Sequence, residues 1–151
     1  MQTYKHKQNG SFILFALSLG VLMTVWILFK VFPRPGTIIT AIIMVVLLIC
    51  IVLFWSLTVE LTTDHLSVKL GLGIIHKEIR YEDIREARVV KNPLYYGWGI
   101  RWIPRGYMYN VSGFGAVELE FTDNQRFRIG SDEPEKLLFA IQNKLHQKVE
   151  N

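Results

Sequence analysis

The sequence has a single cysteine and no acidic residue before Glu60, and each scarcity excludes a class of protein. Cys50 lies inside an apolar run, so the chain lacks the disulfide framework of a small secreted domain. All 13 acidic residues follow position 59, together with 13 of the 17 Lys and Arg residues, so residues 58–151 carry no net charge. The excess of +4 comes from cations that flank apolar runs: Lys5, Lys7, Lys30 and Arg34. Such placement is typical of membrane topology and argues against a nucleic-acid partner.

The motifs of catalysis and metal binding are also missing. The sequence contains no HExxH and no paired Cys/His spacing, so we expect no metal site. Ser112 lacks the GxSxG frame of a nucleophile elbow, and Gly71-Leu72-Gly73 lacks the third glycine and the following helix of a dinucleotide site. We therefore expect a protein that is not an enzyme and that has no catalytic residue and no cofactor.

Two long stretches without charge dominate the first third of the chain. Residues 8–29 form one run of 22 residues, and residues 35–59 form another of 25. About 20 residues of helix span the roughly 30 Å of bilayer hydrocarbon, and lipid requires that backbone groups be paired internally. The sequence predicts a short basic N-terminal tail at residues 1–10, then a transmembrane helical hairpin at 11–57 with spans 11–32 and 37–57.

The connector between the two spans is short and rich in helix breakers. Pro33, Pro35 and Gly36 end the first helix, and so tight a connection returns the second helix antiparallel to the first. Both chain ends then lie on one side of the membrane. Lys5 and Lys7 favour the cytoplasmic side by the positive-inside rule.

The remainder, residues 58–151, changes to a pattern of period two that is typical of strands. Strand patterns flank a turn at Thr63-Asp64 and another at Gly71–Gly73. A later hairpin joins residues 116–121 to 126–130. Matching their apolar faces pairs Phe121 with Phe127, Leu119 with Ile129, and Glu120 with Arg128. The glutamates and arginines of this hairpin are interpreted as exposed sheet surface.

The C-terminal segment has the pattern of one amphipathic helix. Asp132 and Glu135 match a capping box, and Pro134 is tolerated in a first turn. The apolar stripe consists of Leu137, Leu138, Ile141 and Leu145. The predicted domain has five to seven short antiparallel strands followed by a helix that covers one open end of the bent sheet.

The hairpin, the strand series from Leu57 and the block GFGAVELEFTDNQRFRIGSDEPEKLLFAI together resemble a known family. The chain resembles bacterial membrane proteins with two N-terminal transmembrane helices and a pleckstrin-homology-like (PH-like) domain. The resemblance implies a membrane-anchored α+β chain, in which a PH-like β half-barrel or sandwich of about seven antiparallel strands at residues 58–151 is capped by the C-terminal helix. It implies a multi-pass protein of the bacterial inner membrane, and no defined activity.

The segment 95–109, YYGWGIRWIPRGYMY, holds the candidate site. Aromatic and arginine side chains without acidic neighbours are typical of interfaces. The candidate partner- or lipid-binding residues are Tyr95, Tyr96, Trp98, Arg101, Trp102 and Arg105. Three interpretations stay open here: packing in the domain's own core, contact with a partner, and contact with the membrane interface.

These residues support two hypotheses of function. In the first, the chain is a non-catalytic interaction or scaffold module that holds a membrane or membrane-proximal protein, or a second copy of itself, at the inner membrane surface. In the second, the aromatic-arginine loop 91–109, with Lys91, Arg101 and Arg105, binds anionic lipid headgroups.

Overall fold

The computed structural model describes residues 4–149, which form three helices and nine strands. The helices are α1 (Ser11–Val31), α2 (Gly36–Phe54) and α3 (Pro134–Val149). The strands before residue 92 are β1 (Tyr4–Asn9), β2 (Ser56–Leu61), β3 (His65–Leu70), β4 (Ile75–Arg80) and β5 (Ile84–Lys91). The later strands are β6 (Gly99–Ile103), β7 (Gly106–Asn110), β8 (Gly115–Phe121) and β9 (Arg126–Gly130). Single turns of 3-10 helix occupy Tyr81–Asp83 and Leu94–Tyr96.

The two apolar helices pack mainly against each other. Large apolar side chains on both helices are exposed, whereas Thr24 and Thr40 are buried. Thr24 donates a hydrogen bond to the Gly20 carbonyl at 2.7 Å, and Thr40 donates one to the Gly36 carbonyl at 2.9 Å. Both hydroxyls are thus satisfied within their own helix, away from the exposed surface. Each helix is long and apolar enough to cross a membrane.

The segment predicted as an N-terminal tail is partly a strand. Residues 4–9 form β1, which pairs antiparallel with β2. The helical hairpin returns the chain to its starting point, where the Gly10 N–H donates to the Trp55 carbonyl at 2.8 Å. Because Ser56 already pairs with Asn9, α2 ends at Phe54, three residues before the predicted end of the second span at Leu57.

The strands form two sheets, as expected for an α+β chain, and within residues 4–149 these sheets do not close into a barrel. The first sheet has the order β1-β2-β3-β4, and the second has the order β5-β8-β9-β7-β6. All pairs are antiparallel except β7 and β9, which run parallel. Within the described part of the chain, eight strands follow the two apolar helices, against about seven predicted, because the stretch between β5 and β8 contains the hairpin β6–β7.

The hairpin of β8 and β9 has the predicted faces but a register shifted by two residues. Leu119 pairs with Phe127 and Val117 with Ile129, so the predicted pairing of Phe121 with Phe127 is wrong. A shift of two keeps every side chain on its face, so apolar matching alone does not distinguish the two registers. The core between the sheets includes these four residues, all fully buried.

Helix α3 covers the core through its predicted stripe. Leu137 and Ile141 are fully buried, and Leu138 and Leu145 pack against the same core. The predicted role of Asp132 as helix cap is not what the structure has, since its Oδ1 lies 2.6 Å from His6 Nε2 on β1. The Glu133 N–H instead donates to the Ser131 hydroxyl at 3.1 Å.

Candidate functional site

The second sheet carries continuous rows of side chains across all five of its strands. Residues that pair directly across neighbouring strands point to the same face of a sheet. One such row on the inner face runs from β5 to β6 through the following paired residues: Ala87, Leu119, Phe127, Tyr107 and Trp102. Leu119 and Phe127 belong to the buried core. Trp102 and Tyr107 are therefore the continuation of the core face on the last two strands.

Exposure rises along this row towards the sheet edge. Phe127 is 0% exposed, Tyr107 is 37% exposed and Trp102 is 77% exposed. The next row rises in the same way, from Ile129 at 0% to Ile100 at 38%. The first sheet thus covers the second as far as β9. On β7, Tyr109 still packs against the core, whereas Tyr107 is exposed, as are Ile100 and Trp102 on β6. We call this uncovered surface, made by Ile100, Trp102 and Tyr107, the overhang.

The overhang is an aromatic surface, and a cation lies against the buried residue next to it. The rings of Trp102 and Tyr107 lie with centroids 4.2 Å apart at an interplanar angle of 41°. On the first sheet, the Lys77 ammonium lies 4.8 Å from the ring centroid of Phe127, the buried neighbour of Tyr107. Strand β6 is an edge of the described sheet. The overhang therefore combines exposed rings with an edge strand.

Trp98, one of the six predicted site residues, packs within the structure and does not belong to the overhang. Its indole N–H donates to the Gly113 carbonyl at 3.1 Å, and its ring stacks on Phe12 at the start of α1. Trp98 is half-buried and precedes β6, whereas Trp102 lies within that strand. The two tryptophans, four residues apart, thus have different roles, and the sequence pattern alone does not distinguish these roles.

The other predicted site residues do not form one common surface either. Tyr96 is half-buried, with the Arg128 guanidinium 5.6 Å from its ring centroid, and Tyr95 beside it is 82% exposed. Arg101 is exposed and its Nε donates to the Trp98 carbonyl at 3.0 Å. Arg105 is exposed in the β6–β7 turn, at a φ of 67°. Trp102 alone among the six belongs to the overhang; Tyr107 and Ile100 are members that the sequence reasoning did not single out.

The outer face of the same sheet holds a charged cluster predicted to be exposed sheet surface. This prediction is wrong for Glu120, which is 8% exposed, and for Glu118. This carboxylate is 1% exposed and contacts arginines from both flanking strands. Its Oε1 accepts from Arg88 Nη2 at 2.5 Å, and its Oε2 accepts from Arg128 Nε at 2.5 Å. Arg126 Nη1 lies 3.8 Å away. The alternation of Glu at 118 and 120 with Arg at 88, 126 and 128 was the available signal.

The cluster acts as a clamp across β5, β8 and β9. Burial opposes ionisation of Glu118, but the hydrogen bonds from Arg88 and Arg128 outweigh it, so the pKa of this carboxyl lies below its ordinary value. Glu118 is therefore a carboxylate with both oxygens engaged, which suits it to holding strands together and not to accepting protons as a general base.

Residues 4–149 contain no group of three or more His, Cys, Asp or Glu side chains placed to hold a metal ion. No family model, no curated protein and no solved structure matches the chain.

Proposed function

We propose that this chain is a membrane-anchored, non-catalytic interaction module that holds a protein partner at the membrane surface through the overhang. The observation that carries the proposal is the exposure of Trp102 at the end of a row whose residues on β8 and β9 belong to the core. Exposed aromatic side chains on a rigid scaffold are the residues on which binding energy concentrates. A partner that covers Trp102 and Tyr107 would complete the sandwich.

The apolar helices support the anchoring part of the proposal. A helix in the core of a water-soluble protein is mostly buried, whereas almost none of the residues in the apolar stretches of these two helices is buried. Cations lie near tryptophan rings at opposite ends of the hairpin: Lys7 is 5.8 Å from the Trp55 centroid, and Lys30 is 5.9 Å from that of Trp26. Such pairs are typical of the two membrane–water interfaces. We place the hairpin in a bacterial inner membrane, with both termini in the cytoplasm.

The chemistry of the surface indicates what kind of partner it takes. Edge strand β6 permits an added strand, whose inward side chains would extend the aromatic row. No acidic residue occurs between Lys91 and Val117, whereas Arg101 and Arg105 are exposed on and beside β6. We therefore propose an extended partner segment that alternates apolar side chains with polar ones and includes Asp or Glu.

The domain itself we propose to be PH-like. Two sheets of mostly antiparallel strands followed by a helix that packs on their common core support this assignment. Strand β1, which precedes the apolar hairpin, and the parallel pair β7–β9 are additions to the expected arrangement.

A second candidate function is the binding of anionic lipid headgroups by Lys91, Arg101 and Arg105, all of which are exposed. Proximity to the hairpin favours this function. Trp98, which precedes Arg101 by three residues, contacts Phe12 at the start of α1. Binding to headgroups weakens steeply as the salt concentration rises, whereas binding through an aromatic contact surface does not.

Site-specific photo-crosslinking in native membranes tests the proposal. A photoreactive phenylalanine analogue replaces Trp102 in one variant and Phe139 in the control, since Phe139 is a 66% exposed aromatic on α3. We expect a discrete protein adduct at position 102 that persists at high salt and is absent at position 139. Adducts with lipid alone at position 102 support the second function, and equal protein adducts at both positions contradict a specific surface.

A further inference from the structure

The turn between β3 and β4, residues 71–74, packs directly against the end of α2. Gly71 has a φ of +53°, and a Cβ on it would lie 2.4 Å from the Val52 carbonyl oxygen. The Gly71 N–H also donates to the Ser56 carbonyl at 2.7 Å. The backbone of the turn therefore touches the helix with no space for a side chain between them.

The side chains of the turn extend the apolar surface of the helix. Leu72 is 78% exposed and Ile74 is 68% exposed. Ile74 lines an open apolar groove of about 310 Å³ with five residues of α2: Val45, Leu48, Ile49, Val52 and Leu53. Val45 lies nine residues before the helix end at Phe54, which corresponds to about 13 Å of helix. The turn thus lies alongside the last part of the proposed span and not beyond it.

We propose that Leu72 and Ile74 insert among lipid acyl chains as a third membrane contact beside the two helices. This inference rests on the proposed anchoring of the hairpin. The occupant is lipid because the groove is continuous with the exposed apolar surface of α2, which the same bilayer covers. Backbone pairing suits that environment, since the Gly73 N–H donates to the Leu70 carbonyl at 2.8 Å.

The inserted turn fixes the orientation of the sheets relative to the membrane. Single residues, Gly10 and Trp55, connect the helices to β1 and β2, so these connections hold one end of the first sheet. The turn adds a contact at the end of β3 and β4, which resists rotation about the hairpin axis. The overhang on the second sheet then keeps one orientation towards membrane-bound partners, which raises their effective concentration.

Spin-label accessibility in proteoliposomes tests the insertion. In a full-length Cys50→Ser background, nitroxide labels are placed on Leu72→Cys, Ile74→Cys, Asp64→Cys and Val46→Cys variants in phosphatidylcholine–phosphatidylglycerol vesicles. Asp64 is exposed in the turn at the opposite end of β3, and Val46 is exposed on α2. We expect labels at 72 and 74 to be accessible to oxygen and protected from a water-soluble nickel chelate, as at 46, with the reverse at 64.

The outcomes separate this inference from the anchoring on which it rests. Labels at 72 and 74 that behave like the label at 64, while the label at 46 is lipid-exposed, overturn the insertion and leave the anchor intact. A water-exposed label at 46 overturns the anchor itself. Because Leu72 is mostly exposed, its label does not disturb the fold, so position 72 decides the matter if the Ile74 variant misfolds.

Discussion

The indole ring of Trp98 lies parallel to the phenyl ring of Phe12, with the centroids 5.2 Å apart and an interplanar angle of 3°. This stack joins the segment before β6 to the first turn of α1. Gly99, the next residue, approaches the ring of Phe54 at the end of α2. The start of β6 is therefore fixed to both apolar helices, and the overhang begins beside this junction.

Replacing the two tryptophans separately distinguishes junction from contact surface. We expect Trp98→Ala to lower stability by about 2 kcal/mol, because the variant loses a half-buried ring and the hydrogen bond to Gly113. Trp102→Ala removes a mostly exposed ring and changes stability by about 0.5 kcal/mol or less. Thermal unfolding of the full-length chain in detergent measures both; equal losses contradict the assignment of Trp98 to the junction.

Removing the charge of Glu118 leaves three arginines without their shared carboxylate. We expect Glu118→Gln to lower stability by about 3 kcal/mol, because removing one partner of a buried ion pair leaves the opposite charges without compensation. Glu78→Gln on β4 is the control, because this side chain is exposed and its change has little effect. The two melting temperatures provide the measurement, and a loss no larger than that of the control refutes the clamp.

The pKa shifts predict loss of stability in acid. The folded pKa of Glu118 lies below its ordinary 4.5, and hydrogen bonds from Lys5 and Lys69 lower that of Glu60 in the same direction. Both carboxylates stabilise the fold above pH 4.5, and this contribution is lost as the pH falls through their folded pKa values.

Melting temperatures measured from neutral pH down through pH 4.5 test this dependence. We expect a steep decrease on the acid side in the wild type and a shallower one in Glu118→Gln, which has already lost the contribution of this carboxylate. An acid limb of the same steepness in both proteins contradicts the assignment to Glu118.

Two glycines in the β3–β4 turn differ in what surrounds them. Gly71 and Gly73 both have positive φ, so alanine at either position costs about 1 kcal/mol of backbone strain. A Cβ on Gly73 meets no atom closer than 3.9 Å, whereas one on Gly71 collides with the α2 carbonyls. We expect Gly71→Ala to cost about 2 kcal/mol more than Gly73→Ala in thermal unfolding. Equal costs contradict the close packing of the turn on α2.

Local patterns predicted most of the elements. The long charge-free runs gave both apolar helices within three residues, and the stripe from Leu137 to Leu145 gave the buried face of α3. These patterns are local because helix length and periodicity follow from neighbouring residues. Strand β1 was missed because its partner, β2, lies beyond the entire hairpin, and nothing near Lys5 or Lys7 indicates that pairing.

The charged residues show why the site was harder to predict than the fold. Alternation correctly put Glu118 and Arg128 on the face opposite Phe127, but a face that points away from the core is usually exposed to water. Whether it is exposed depends on side chains from other strands, and here Arg88 and Arg128 cover the carboxylate. The pairing of β5, β8 and β9 therefore had to be known first.

By itself the sequence determined that this chain has two long apolar helices, a strand-rich remainder of zero net charge and one amphipathic helix. These properties depend on composition and spacing within single segments. Only the tertiary structure decided which aromatics are exposed. Trp98 and Trp102 are both tryptophans and lie only four positions apart. Trp98 nevertheless packs against α1, whereas Trp102 extends beyond the edge of the opposing sheet. The physical reason is that burial is a property of what covers a side chain, and those covering residues come from distant parts of the chain.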